Sequence, residues 1–74
     1  MREISIITEF IKLQDLLKVS NLVETGGEAK ERIQAGEARV NGETCLQRGK
    51  KIRPGDEVCF AGERLTVNYA DRPS

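Results

Sequence analysis

Between Thr25 and Gly42 the sequence packs a helix start, a helix stop and a hairpin turn into one short stretch, and this fixes much of what the chain can become. Thr25 is a good N-cap, and Glu28 three residues later completes a Ser/Thr-x-x-Glu capping box. Gly36 stands where a helix ends in the left-handed conformation, which glycine adopts without steric cost. Glu37-Ala38-Arg39-Val40 then leads into Asn41-Gly42, a pair suited to the two positive-φ positions of a tight hairpin turn.

The flanking sequence fills in the rest. Glu3 to Ile11 is rich in β-branched residues and reads as a strand, with Ile4 and Ile6 on one face. From Lys12 the period changes, and Leu13, Leu16 and Leu17 form the apolar stripe of a short helix reaching about Ser20. Asn21 is placed to end it in a left-handed conformation. In the second helix Ala29 and Ile33 share one face. Thr44-Cys45-Leu46 reads as a returning strand, and Gln47 to Lys51 as a polar loop opened by Gly49. Arg53-Pro54-Gly55-Asp56 is a turn, because proline presets φ at its second position and glycine accepts positive φ at its third. Val58-Cys59-Phe60 and Leu65 to Tyr69 form a last hairpin across Ala61-Gly62-Glu63. The expected fold class is α+β: two short packed helices against a small, mostly antiparallel sheet.

With 74 residues there is room for one domain, expected over residues 1–70, with a frayed tail at 71–74. The longest apolar run falls well short of the roughly 20 residues that span a bilayer, and no secretory signal is visible. A monomeric cytoplasmic protein without a membrane association is the expectation. Cys45 and Cys59 are the two cysteines, and histidine is absent. Two separate thiols cannot build a tetrahedral metal site, so no metal or other cofactor is expected, and both cysteines read as small apolar residues in strands. With no histidine, nucleophile elbow, Walker loop or metal-ligand cluster, catalysis is not expected.

The formal charge is zero, but it is unevenly spread. Residues 1–38 carry a net −2 and residues 54–74 another −2, whereas residues 39–53 carry a net +4, with Glu43 the one acidic residue among five basic ones. The field at a surface follows such local clustering rather than the total. Arg39, Arg48, Lys50, Lys51 and Arg53 therefore make a candidate anion-binding segment.

The ordered set of residues resembles the S-four RNA-binding domain, the alpha-L motif named after a small-subunit ribosomal protein. Lys12-Leu13 opens the family pattern, and Leu17 and Leu22 follow at its apolar positions. Ala29-Lys30, Ile33 and Gly36 come next, then Val40-Asn41-Gly42 and Arg53-Pro54-Gly55-Asp56. The match runs over residues 12–60, and Thr25-Gly26-Gly27 and Arg48-Gly49-Lys50-Lys51 are similar to a subgroup of small stand-alone bacterial members. The resemblance implies binding of structured RNA, ribosomal or transfer RNA, with the ribosome or a translation-related protein as a further partner. Two positions depart from the pattern. Gln14 replaces the usual Asp, and Gly26 stands where many members carry an RNA-contacting Arg.

The candidate RNA-binding residues are thus Lys12, Thr25, Gly26, Lys30, Arg39, Arg48, Lys50, Lys51 and Arg53. Lys and Arg side chains supply phosphate contacts. Thr25-Gly26-Gly27 offers a helix N-terminus, opposed by the nearby Glu28. Phe10, Phe60 and Tyr69 are scattered, none inside the basic segment, so recognition is expected through backbone, shape and 2′-hydroxyl contacts rather than base stacking. Two other classes compete. One is a protein adaptor working through its acidic faces. The other is a ubiquitin-like sulfur carrier, which the two turns resemble; it needs a C-terminal Gly-Gly, whereas this sequence closes on Asp71-Arg72-Pro73-Ser74.

Overall fold

Alternation of buried and exposed residues decides how the C-terminal half folds. In the computed structural model, which describes residues 2–70, β3 (Ala38–Val40), β6 (Glu57–Phe60) and β7 (Glu63–Tyr69) each turn every second side chain inward. Their register places Val40 opposite Val58 and Val58 opposite Leu65, with Ala38 opposite Phe60, so one apolar layer runs across the strands. All five are under 8% exposed. The expected 71–74 tail lies outside the described residues.

The elements run β1 (Arg2–Ile6), β2 (Ile11–Lys12), α1 (Leu13–Val19), α2 (Gly26–Gln34), β3, β4 (Glu43–Thr44), β5 (Lys51–Ile52), β6 and β7. Five strands form one sheet in the order β1-β7-β6-β3-β4, and β2 and β5 form a separate two-stranded ribbon. Every pairing is antiparallel except β1 with β7, which run parallel from Arg2 opposite Leu65 to Ile6 opposite Tyr69. The helices close the core from the other side: Leu13, Leu16 and Leu17 of α1 and Ala29 and Ile33 of α2 are fully buried. Burying each large aliphatic side chain contributes about 1.5–3 kcal/mol, the main force holding such short helices in place. The two-helix, mostly antiparallel α+β fold is as the sequence implies.

Local chemistry sets the boundaries. Thr25 Oγ1 accepts from the Glu28 amide at 3.1 Å, as a capping residue should, while Glu28 Oε1 accepts from the Glu24 amide at 2.9 Å, one residue ahead of the cap. Asn21 has φ 62°, and its amide donates to the Lys18 carbonyl at 3.0 Å, ending α1. The buried Ser20 hydroxyl donates to the Leu16 and Leu17 carbonyls, spending its polarity inside the helix end. The Arg2 guanidinium donates to the Ser20 carbonyl and ties β1 to the end of α1.

Four expectations need correction. The strand expected over residues 3–11 is two strands separated by a bend at residues 7–9, where Ile7 is 71% exposed. At the far side of the bend the Thr8 hydroxyl donates to the Phe10 carbonyl at 2.8 Å. The returning strand after the Asn41-Gly42 turn is Glu43–Thr44 rather than Thr44 to Leu46, and Leu46 points to solvent at 57% exposure. The segment expected to be loop up to Lys51 ends in strand β5, because Ile52 buries itself opposite Ile11. Cys45 and Cys59 are both half-buried free thiols, and only Cys59 lies in a strand, β6; Cys45 falls just past the end of β4 and not in a strand as expected.

Candidate nucleic-acid interface

Two turns place the basic segment. Asn41 (φ 51°) and Gly42 (φ 86°) both take the left-handed conformation of the tight hairpin turn, and Gly55 takes φ 95° in the second turn. Asp56 joins them. Its Oδ2 accepts from the Arg53 amide at 2.8 Å and its Oδ1 from Asn41 Nδ2 at 3.1 Å. Asn41 Oδ1 in turn accepts from the Glu57 amide at 3.0 Å, and the Asn41 amide donates to the Glu57 carbonyl at 2.8 Å. Asp56 is therefore occupied by neutral donors within the fold, and its carboxylate holds the backbone of Arg53 rather than the guanidinium.

The loop is anchored from its other side by α1. Lys12 makes no side-chain cap for this helix. Instead the first two helical amides donate to the loop: Leu13 to the Lys50 carbonyl at 2.9 Å, and Gln14 to the Arg48 carbonyl at 3.0 Å. Orphan amides of a helix start need such partners. The consequence is that the loop backbone sits against the positive end of α1 while Arg48, Lys50 and Lys51 stay exposed.

In the β2–β5 ribbon Lys12 stands directly opposite Lys51, both exposed. Like charges facing each other across strands are destabilising. The ribbon accepts this repulsion because Ile11 and Ile52, the adjacent pair, pack into the core. An anion bound close to both side chains would relieve it. Lys50, Lys51 and Arg53 also line an open groove of about 660 Å³ with Asn41, Glu43 and Gln47.

Ion pairing separates the basic residues into two groups. Arg2, Lys18, Arg32 and Arg64 each have a carboxylate within 4.0 Å. Among the described residues, Lys12, Lys30, Arg39, Arg48, Lys50, Lys51 and Arg53 have none. These are the basic residues that the sequence marks as candidates. Arg32, on the same helix as Lys30, is held by Glu28 and Glu37 and lies 4.6 Å from the Phe60 ring centroid, so it belongs to the packing of α2 on the sheet.

The candidates do not form one patch by contact. Lys12, Arg48, Lys50, Lys51 and Arg53 are brought together by the ribbon, the loop and the second turn. Arg39 lies on the outer face of the sheet between Thr44 and Cys59 in the register. Lys30 is exposed on α2. Thr25 and Gly26 sit at the start of α2, where the Glu28 carboxylate lies against the preceding backbone. A Cβ on Gly26 would meet nothing within 4 Å, so neither sterics nor a positive φ demands glycine there.

One residue escapes a sequence reading. Phe10 lies under the basic segment, its ring centroid 4.9 Å from Lys51 Nζ and 5.9 Å from the Arg53 guanidinium carbon. The expectation that no aromatic ring accompanies the basic segment is therefore wrong in space, though right along the chain. The pairing of Ile11 with Ile52 carries Phe10 to Arg53.

The S4 domain family model matches residues 4–68. A Bacillus subtilis (strain 168) protein named "Probable ribosome maturation protein RlbA" is 41% identical over 59 residues, covering 80% of this chain and 83% of that protein. YbcJ of Escherichia coli (strain K12) is 37% identical over 57 residues, covering 77% of this chain and 81% of YbcJ. The solution structure of YbcJ, described as revealing an alpha-L motif involved in RNA-binding, aligns with a TM-score of 0.71 at 33% identity over 92% of this chain and 87% of that one. The fold, the linked turns and these matches lead to one conclusion: the chain belongs to the S4 domain family.

Proposed function

We propose that this protein is a non-catalytic RNA-binding protein of the cytoplasm that grips structured RNA, ribosomal or transfer RNA, by its backbone and shape. The observation that carries this is the set of cations without carboxylate partners among the described residues, five of which are gathered by the ribbon, the basic loop and the turn at Arg53. Exposed cations in that arrangement gain phosphate contacts and release counterions, which supplies affinity without reading sequence. Lys12 and Lys51 gain most, because phosphate relieves their mutual repulsion.

Lys30 and Arg39 extend the surface at its margins, and α2 serves mainly as scaffold. Family membership and the alpha-L description of YbcJ favour RNA as the ligand, and the name of the Bacillus relative favours ribosomal RNA within that class. Cross-linking in cells followed by sequencing of the attached RNA tests the reading. Enrichment of ribosomal RNA fragments is the expected result. Recovery of protein partners with no RNA above background would favour the adaptor function instead.

A further inference from the structure

Backbone recognition leaves Phe10 without a role, although the fold delivers it to the most basic part of the surface. The ring is half-buried, at the end of the bend that the Thr8–Phe10 hydrogen bond completes. Lys51 and Arg53 both approach its face, at 4.9 and 5.9 Å from the centroid. Such cation–π contacts are weak at an exposed site, so either cation can leave the ring for a phosphate at little cost. When they leave, an aromatic face opens beside two phosphate-binding side chains.

That combination, an aromatic ring flanked by cations, is how proteins hold an unpaired nucleotide. A paired stem offers the ring nothing, since its bases are stacked on each other. We propose that Phe10 is a stacking platform for one unpaired base at a bulge or loop of the bound RNA, with Lys51 and Arg53 moving from the ring to the flanking phosphates as the base arrives. This rests on the RNA-binding reading and adds a preference to it: a stem interrupted by an unpaired nucleotide over an unbroken one.

The test uses the full chain and two labelled RNA hairpins, identical except that one carries a single-adenosine bulge in its stem. Binding is followed by fluorescence anisotropy for the native chain, Phe10→Leu and Phe10→Trp. The native chain should prefer the bulged hairpin by about fivefold or more. Phe10→Leu should hold the unbroken hairpin within about twofold of native while losing the preference, because leucine fills the space but cannot stack. Phe10→Trp should keep the preference, and its emission, the only indole signal in the chain, should be quenched by the bulged hairpin alone. Equal loss of both hairpins in Phe10→Leu, or no preference in the native chain, would overturn the proposal and leave Phe10 as a support for the two cations. Failure to bind either hairpin is a different result: it removes the RNA-binding reading itself, and the stacking role with it.

Discussion

The Asn41 side-chain amide donates to the Asp56 carboxylate at 3.1 Å, bridging two turns that are far apart along the chain. Each turn is explicable alone, by positive φ at Asn41, Gly42 and Gly55. Together they form a clasp, because Asn41 also receives the Glu57 amide and Asp56 also receives the Arg53 amide. The clasp sets where Arg53 leaves the fold, and hence the end of the basic surface.

Asn41→Ala should therefore destabilise the protein by about 1–3 kcal/mol, from two lost side-chain hydrogen bonds and a left-handed conformation that alanine tolerates poorly. Asn41→Gly restores the backbone preference but not the bonds, so its urea midpoint should fall between native and Asn41→Ala. If the glycine variant matched native, the side-chain clasp would carry no stability.

The opposed pair Lys12 and Lys51 makes a second, two-sided expectation. Lys12→Glu replaces repulsion with attraction across the ribbon and should raise stability by about 0.2–1 kcal/mol. The same change puts a carboxylate among the cations and should weaken RNA binding. A variant that gained both stability and affinity would show that this face does not meet phosphate.

The turn between β6 and β7 holds a strained alanine. Ala61 has φ 51°, followed by Gly62 at φ 78°, a pair of left-handed residues that would ordinarily begin with Asn or Gly. Ala61→Asn should raise the urea midpoint by an amount corresponding to about 0.5–1 kcal/mol, with no change in RNA affinity. An unchanged or lowered midpoint would mean that the alanine is not strained.

Gly26, where the family resemblance leads one to expect an arginine, has open space around it. Gly26→Arg should fold at least as stably as native, since glycine is a poor helix residue, and should bind a structured RNA more tightly. Unchanged affinity would place the start of α2 away from the bound RNA and confirm it as scaffold.

Local chemistry made much of this fold legible from sequence. The Thr25 cap, the left-handed Asn21, the two glycine turns and the Leu13, Leu16 and Leu17 stripe all depend on residues close together along the chain. What stayed hidden depends on pairing between distant segments. The parallel union of β1 with β7, the ribbon that makes a strand of Lys51–Ile52, and the passage of Phe10 to Lys51 all follow from register, which no local pattern states. The candidate cations Arg39, Arg48, Lys50, Lys51 and Arg53 were legible as a list, because Glu43 is the one acid among them, whereas Lys12 and Lys30 have acidic neighbours in sequence and entered through the family resemblance. The division of the site into a gathered group and the outlying Lys30 and Arg39 needed the fold.

The central claim is that the exposed cations of the loop and second turn hold the RNA. It is tested most directly by titrating a labelled ribosomal RNA stem-loop at several salt concentrations with native protein and with a variant in which Arg48, Lys50, Lys51 and Arg53 are all alanine. Circular dichroism should first show the variant folded, since none of the four side chains is buried. The native protein should bind more weakly as salt rises, and the variant should lose affinity at low salt and about three to four units of the log–log salt slope, a little under one for each of the four cations removed. Equal affinity and an equal slope in the two proteins would contradict the account.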